Sequence, residues 1–401
     1  MTPRLPAASL LLASASLACG SLRTPDYSDH DFAAQATFLK EAADGILLES
    51  GTGAIVVSPT LQGRVMTSTL HRGGVGLGFV NRAVVQNPPA ESAFFNYGGE
   101  DRFWLGPEGG PYSLYFQPGD PFDRDLWQVP EALNEGAWQV VSQDPTSVRM
   151  SQSMSLQNRV GSTYEVDVDR SVEVLSKTEA SALLGGLPEG CQWVAFRSRN
   201  SIRNAGSRAW FPETGLLCIW ILGMFQAGPD TWVVAPYREE GVDPSIPPVE
   251  TAYFNPLDDQ RLKRGNGFVL FKADAQYTSK IGVMRRRAVD VMAAYDPHRR
   301  VFTVVKFGPL RPEQPYLLEL WDPETKRAYD GDVANSYNHG GPESFYELES
   351  SSPALALEPG EVYEHQHTTL HIRVPEGTDL GDVASRVLGI PWKEVRGLGG
   401  F

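Results

Sequence analysis

Short runs of β-prone residues, interrupted at close intervals by glycine and proline, are the feature that most limits what this chain can fold into. Runs of this kind occupy residues 46–48, 54–57 and 64–69. The sequence contains 39 glycines and 30 prolines, and both residue types are disfavoured inside helices. Residues 164–169 alternate apolar and acidic side chains, as a half-buried strand does. We therefore expect a sheet of short antiparallel strands.

The rest of the chain carries the same signal with few helices. Helical patterns cover residues 31–43, 177–184 and 379–388, the last followed by Gly389 and Pro391 as stop signals. Further strands are predicted at residues 192–196, 216–222, 231–235, 268–272, 301–305, 316–321 and 362–374. The sequence predicts a mainly β protein with one domain over residues 31–401.

The first thirty residues resemble an export signal. Arg4 precedes an apolar run over residues 7–18, which suits a signal peptide and is too short to span a bilayer. We expect a signal peptide at residues 1–18 and a tether at residues 19–30. Ala18 and Cys19 allow either simple cleavage or lipid attachment to Cys19. The protein is thus predicted to be exported to the periplasm or cell envelope, with a possible N-terminal lipid as its sole membrane contact.

The net charge limits the classes of binding partner, and the cysteine content limits the possible thiol chemistry. The net charge is 35 − 49 = −14, which opposes binding to nucleic acid or anionic lipid and favours a neutral or polar small partner. Beyond Cys19 only Cys191 and Cys218 remain. They form a disulfide or stay as two buried thiols, and neither has a metal-ligand or redox spacing.

The first polar cluster, residues 96–110, combines glycines with Arg102 and Trp104. A guanidinium donates several hydrogen bonds and an indole offers a flat apolar face, which together match the hydroxyl rim and C–H faces of a sugar. Arg102, Trp104, Glu100 and Asp101 are therefore candidate substrate-binding residues. In the alternative interpretation, Arg102 pairs internally with Glu100 or Asp101.

The second cluster spans residues 338–352 and contains His339 and three glutamates, Glu343, Glu347 and Glu349. On a strand, Glu347 and Glu349 share a face with Phe345 because side chains alternate with period two. Two neighbouring carboxylates repel each other, which raises one pKa toward the range of a general acid or base. The alternative is that both are exposed to solvent on an edge strand.

The third cluster places His365, His367 and His371 on one face of a strand over residues 362–374. We expect this row to face a cleft or water, where it would contact substrate. A His-x-His pair beside a carboxylate is also a plausible metal set, although no third ligand is fixed by spacing.

The segments 346–350 and 353–363, followed by the strand through His371, resemble the C-terminal part of galactose mutarotase-like (aldose 1-epimerase-like) proteins. The resemblance implies an antiparallel β-supersandwich with an open sugar cleft. It also implies that Glu349 takes the place of the base that accepts the anomeric hydroxyl proton. The family carries a histidine acid in the region that corresponds to residues 200–225, and this chain has none there. The acid would then be His339, His367 or His71.

Three functional hypotheses follow. The first is a carbohydrate isomerase that uses Glu349 with His339 or His367, with Glu347 as a second carboxylate and His71, His365 and His371 near substrate. The second is a carbohydrate-binding protein that keeps the cleft without the acid. The third, a metal-dependent lyase or epimerase, uses His365, His367 and a glutamate. We expect no bound cofactor and no resident metal.

Overall fold

The computed structural model describes residues 30–401. The predicted signal peptide, nearly all of the predicted tether, and Cys19 lie outside the described residues, so export and lipid attachment stay predictions. Within the described part of the chain, no helix has the length and apolar character needed to cross a membrane.

The predicted mainly β fold is confirmed. The strands in chain order are β1 (Ile46–Ser50), β2 (Gly53–Ser58), β3 (Arg64–Thr69), β4 (Arg102–Gly106), β5 (Gln139–Gln143), β6 (Ser147–Gln157), β7 (Thr163–Val174), β8 (Gln192–Asn204), β9 (Cys218–Gln226), β10 (Trp232–Pro236), β11 (Val249–Glu250), β12 (Leu262–Arg264), β13 (Phe268–Lys272), β14 (Ser279–Met284), β15 (Val291–Asp296), β16 (Val301–Gly308), β17 (Asp332–Asn338), β18 (Phe345–Ser351) and β19 (Val362–Arg373). The α-helices are α1 (Phe32–Ala43), α2 (Arg82–Gln86), α3 (Glu131–Asn134), α4 (Lys177–Leu184), α5 (Gly381–Leu388) and α6 (Trp392–Gly399), and a short 3-10 helix covers Arg124–Leu126.

The strands form three antiparallel sheets. A ten-stranded sheet has the order β12-β13-β10-β15-β16-β19-β8-β7-β6-β5, a six-stranded sheet has the order β11-β14-β17-β18-β9-β4, and β1 to β3 form a small third sheet. Tyr346 and Leu348 of β18 pack in one apolar cluster with Val305 and Phe307 of β16. The two large sheets therefore meet face to face through such alternate residues.

Local sequence signals account for the helices and for the strand alternation. Tyr164, Val166 and Val168 are buried, as their alternation predicts. Helix α4 begins with a capping box, in which the side chains of Ser176 and Glu179 each bond the other's backbone N–H. It ends at a left-handed glycine.

Two other expectations were resolved differently. Residues 316–321 were predicted to form a strand, and that prediction was wrong. Tyr316, Leu317 and Leu318 are buried as a loop, whose backbone bonds to a neighbouring turn through the Leu318 N–H and the Ala328 carbonyl. The apolar residues at 316–318 therefore indicate burial of this segment and not pairing in a sheet. Cys191 and Cys218 are both free thiols, so the disulfide alternative is excluded.

Candidate active site

A cleft of about 200 Å³ opens on the outer face of the six-stranded sheet, away from the ten-stranded sheet. Loops on either side of the sheet cover it. Its walls are largely aromatic, with contributions from Phe94, Trp104, Trp127, Trp220, Phe254 and Phe345. Flat apolar walls of this kind suit the C–H faces of a sugar ring and exclude water from polar groups between them.

Two ion pairs cross on the sheet beneath the cleft. By strand register, Arg102 lies in one row with Glu349, and Lys280 lies in the next row with Glu347. Each cation nevertheless bonds the glutamate of the other row. Arg102 Nη2 is 3.1 Å from Glu347 Oε1, and Lys280 Nζ is 2.9 Å from Glu349 Oε2. The predicted shared face of the two glutamates is confirmed, while β18 lies inside the sheet rather than at its edge.

The two glutamates differ in access. Glu349 has no exposed surface, and its Oε2 also accepts a hydrogen bond of 2.9 Å from Trp220 Nε1. Glu347 lines the cleft, and only its Oε1 is bonded by a side chain among the described residues. Burial raises the pKa of Glu347 to about 7, against the opposing effect of Arg102. Glu347 can therefore gain or lose a proton near neutral pH.

Arg102 is sandwiched between aromatic rings. Its guanidinium carbon lies 4.1 Å from the centre of the Trp104 ring and 5.1 Å from that of Phe94, as cation–π contacts require. Glu100 and Asp101 do not pair with Arg102, so the alternative interpretation named the wrong partners for Arg102. Neither residue lines the cleft. Glu100 accepts a hydrogen bond from the Ser68 backbone, and Asp101 pairs with Arg170 at 2.7 Å.

His339 follows β17 and lines the cleft beside Phe345, on which its ring stacks at 4.5 Å. Both ring nitrogens have protein partners. Nε2 is 3.0 Å from Glu343 Oε2, and Nδ1 is 3.2 Å from the Tyr337 hydroxyl. Because His339 is opposite Phe345 and Tyr337 is opposite Glu347, His339 and Glu347 are diagonal cross-strand neighbours, within reach of one small ligand.

The histidine row of β19 lies elsewhere, and the expectation that it faces a cleft or water was wrong. His365, His367 and His371 are buried between the two large sheets. Ser350 Oγ lies 2.9 Å from His365 Nε2 and 2.8 Å from His367 Nδ1. β19 is a central strand, and its row points at the inner face of the opposing sheet, where side chains such as Ser350 provide polar partners.

Burial governs the chemistry of that row. It lowers the pKa of His365 to about 3 and that of His367 to about 4. Within residues 30–401 no group of three or more histidine, cysteine, aspartate or glutamate side chains is arranged to hold a metal ion. His71 lies in the turn after β3 and does not line the cleft.

Sequence reasoning missed several polar residues of the site. Lys280 is a lone cation in a strand that is buried throughout, which is a usable signal because an unpaired buried lysine is unfavourable. Glu319 sits in the apolar run that was taken for a strand, and burial raises its pKa to about 8. It accepts a hydrogen bond from the backbone N–H of Glu108, whose own pKa is also raised by burial.

Comparison with known structures identifies the fold class. The structure resembles an aldose 1-epimerase-like protein from Escherichia coli K12, at 14% identity and a TM-score of 0.50, with 82% of this chain and 99% of that chain covered. A galactose mutarotase-like protein from Lactobacillus casei ATCC 334 is 9% identical, with 82% and 99% covered and a TM-score of 0.46. The first of these two likenesses shows that the chain has an aldose 1-epimerase-like fold, as the resemblance of its C-terminal segment indicated.

A family model that matches residues 30–398 places the chain more closely. The protein belongs to a family of unknown function, DUF6786. No curated protein matches the chain in sequence.

Proposed function

We propose that the cleft binds a carbohydrate. The observation that carries this proposal is a set of buried hydrogen-bonding atoms without protein partners around one aromatic cavity. They are Nε and Nη1 of Arg102, Nε1 of Trp104, Nε1 of Trp127 and Oδ1 of Asn96, all on residues that line the cleft. Buried polar atoms are normally paired. Hydroxyl groups both donate and accept hydrogen bonds, so a sugar between the aromatic walls would satisfy this mixed set.

We further propose that Glu347 is the group that exchanges a proton with the sugar. The resemblance assigns this role to Glu349, but Glu349 has no exposed surface and does not line the cleft, and its Oε2 is bonded to Lys280 and Trp220. Glu347 lines the cleft, and its pKa of about 7 suits a group that must accept and return a proton in each cycle. In this role Glu347 takes the proton of the anomeric hydroxyl, the ring opens, and reclosure on the other face yields the other anomer.

A second function, carbohydrate binding without chemistry, is favoured by one observation. His339 is the histidine nearest to Glu347 along the cleft, yet both of its ring nitrogens are engaged by Tyr337 and Glu343. A general acid needs an N–H directed at the substrate. As long as these two contacts persist, His339 cannot supply it.

Anomer exchange measured by NMR separates the two functions. The purified protein is incubated with a panel of neutral mono- and oligosaccharides, and magnetisation transfer between α and β signals is recorded. For an isomerase, exchange of at least one sugar exceeds the spontaneous rate in proportion to protein concentration. If sugar signals broaden on binding while exchange stays at the spontaneous rate for every sugar, the protein is a binding protein and the catalytic role of Glu347 is refuted.

A further inference from the structure

Lys280 is the one lysine among residues 30–401 that lines the cleft. Its side chain is 5% exposed and projects from β14, in the row that contains Glu347. Nζ lies 4.9 Å from the Trp220 ring centre and 5.3 Å from that of Tyr253. The ammonium is therefore held between two aromatic faces. In this low-dielectric environment its charge acts over a longer range than it would in water.

An ammonium has three N–H bonds, and Glu349 accepts one of them at 2.9 Å. Among residues 30–401, no other oxygen or nitrogen accepts a hydrogen bond from Lys280 Nζ. A buried cation with unused N–H bonds at the edge of a polar cleft is positioned to donate to a ligand oxygen. Glu349, on the far side of Nζ from solvent, fixes the direction of the side chain.

We infer that Lys280 is the electrophilic group of this site, which donates to the sugar ring oxygen in the position where a histidine acid is missing. This inference rests on the proposed function and deepens it. Glu347 and Lys280 stand on strands separated only by β17, in one row across the sheet. Tyr337 of β17 lies between them in that row. The anomeric and ring oxygens are both bonded to C1, so a pyranose over Tyr337 with C1 between the ends of the two side chains would present one oxygen to each group.

The chemistry balances with these two groups alone. Glu347 removes the proton of the C1 hydroxyl, the bond between C1 and the ring oxygen breaks, and its electron pair stays on the ring oxygen. Lys280 transfers one proton to that oxygen, which leaves an open-chain aldehyde, a neutral amine and a protonated Glu347. The former ring oxygen, now a hydroxyl, then attacks the other face of the aldehyde. Its proton returns to the Lys280 amine, and the proton on Glu347 returns to the oxygen on C1. No oxidant, reductant or other reactant is needed.

The groups around Lys280 favour its charged form. Burial alone lowers the pKa of Lys280, but the neighbouring carboxylates outweigh burial and raise it overall. The titratable and charged side chains around it are Glu347, Glu349, Glu108, Glu319, Asp332, Tyr253, Tyr337 and Arg102. The acid therefore stays protonated above neutral pH, whereas a histidine acid with an ordinary pKa of about 6.5 loses its proton there.

The test compares Lys280→Met, Lys280→Arg and the wild type by NMR anomer exchange, using the sugar that the wild type turns over fastest. We expect Lys280→Met to slow exchange about 100-fold with sugar affinity changed no more than threefold, and Lys280→Arg to recover part of the rate. Lys306→Met, in a lysine on the opposing sheet that pairs with Asp290, is the matched control and should leave exchange unchanged. Wild-type kcat/KM should rise to pH about 7 and stay level to about 9.

A second variant keeps the test decisive if Lys280→Met fails to fold. The double variant Lys280→Met/Glu349→Gln removes both charges of the buried pair, and it is compared with Glu349→Gln alone. Glu349→Gln keeps an amide oxygen that can accept from Lys280 Nζ, so we expect it to slow exchange only in part and the double variant to slow exchange at least tenfold further. Exchange within twofold of the parent in either Lys280→Met background, or a rate that falls above pH 7, overturns the inference for Lys280 while leaving Glu347 in place. A wild type that accelerates no exchange overturns both proposals.

Discussion

The two faces of β18 both carry buried polar side chains, but those on the outer face lie beside a cleft, whereas those on the inner face are enclosed between the two large sheets. On the outer face, Glu347 and Glu349 bond Arg102 and Lys280 beside a cleft of about 200 Å³. On the inner face, Ser350 bonds the buried histidine pair of β19. The cavity beside His371, farther along that row, measures about 20 Å³, which is room for about one water molecule.

The comparison shows that a row of histidines and acids does not by itself mark a site. Charges on the inner face join the two sheets, as Arg170 of β7 does by pairing with Asp101 across them. Charges on the outer face have the same ion-pair chemistry but adjoin aromatic walls and open space. Both faces contain buried polar atoms without a partner among the described residues, such as His365 Nδ1 on the inner face and Arg102 Nε on the outer face. Room for a ligand therefore distinguishes the outer face.

The largest expected effect is on catalysis at the outer face. Glu347→Gln removes the proton acceptor but retains the size of the side chain, so anomer exchange by NMR should fall by about 100-fold or more. Sugar affinity should change by less than about threefold. Glu364→Gln, in an exposed glutamate of β19, is the control and should exchange like the wild type. A Glu347→Gln variant with wild-type exchange would remove the catalytic assignment.

The inner face should respond in stability instead. Arg170→Met leaves Asp101 as an unpaired buried carboxylate, and we expect the free energy of unfolding to fall by about 3–5 kcal/mol in urea titrations. Arg149→Met breaks a surface ion pair with Asp169, in which the Arg149 side chain is 54% exposed. This variant should lower the free energy of unfolding by no more than about 1 kcal/mol. Equal losses of unfolding free energy in the two variants would show that the ion pair between Arg170 and Asp101 does not stabilise the packing of the two sheets.

Sugar affinity should depend on the indole N–H of Trp104, which is one of two in the cleft without a protein partner. Trp104→Phe keeps an aromatic wall but removes one donor, so sugar affinity measured by calorimetry should fall up to about tenfold. Trp138 also has a buried Nε1 without a partner, but it packs in the apolar core against Phe103. Trp138→Phe is therefore the matched control. An equal loss of affinity in both variants would mean that Trp104 acts through folding rather than contact.

The last expected effect concerns how the free energy of unfolding changes with pH. The lowered pKa values of His365 and His367 mean that the unfolded chain binds more protons below pH about 6.5, so this pair costs stability as pH falls toward about 4. Glu347 has the opposite sign, because its raised pKa of about 7 costs stability as pH rises from about 4.5. In urea titrations from pH 4 to 8, His365→Gln/His367→Gln should flatten the acid side and Glu347→Gln the neutral side. Unchanged slopes in both variants would contradict these titrations.

Much of this architecture could be predicted from the sequence, because it follows local periods. Alternation with period two gave the buried face of β7 and the shared face of Glu347 and Glu349. The same rule correctly grouped the histidines of β19. It could not say which way the row points, because that depends on the partner sheet and on polar side chains such as Ser350.

The cleft itself depends on contacts that no local pattern contains. Arg102 and Glu347 are 245 residues apart in sequence, and Lys280 reaches Glu349 only because β14 lies two strands away from β18 in the sheet. Strand order is set by non-local pairing. The residues of the outer face could be suspected one by one, whereas the crossed ion pairs required the fold.

Calorimetric titration of the purified protein with neutral mono- and oligosaccharides tests the central claim most directly. If the outer face of the six-stranded sheet is a carbohydrate site, at least one sugar binds with a stoichiometry of one per chain, and the Trp104→Phe variant binds it more weakly. Absence of binding for every sugar in the panel would contradict the account and leave the cleft as a feature of the fold without this function.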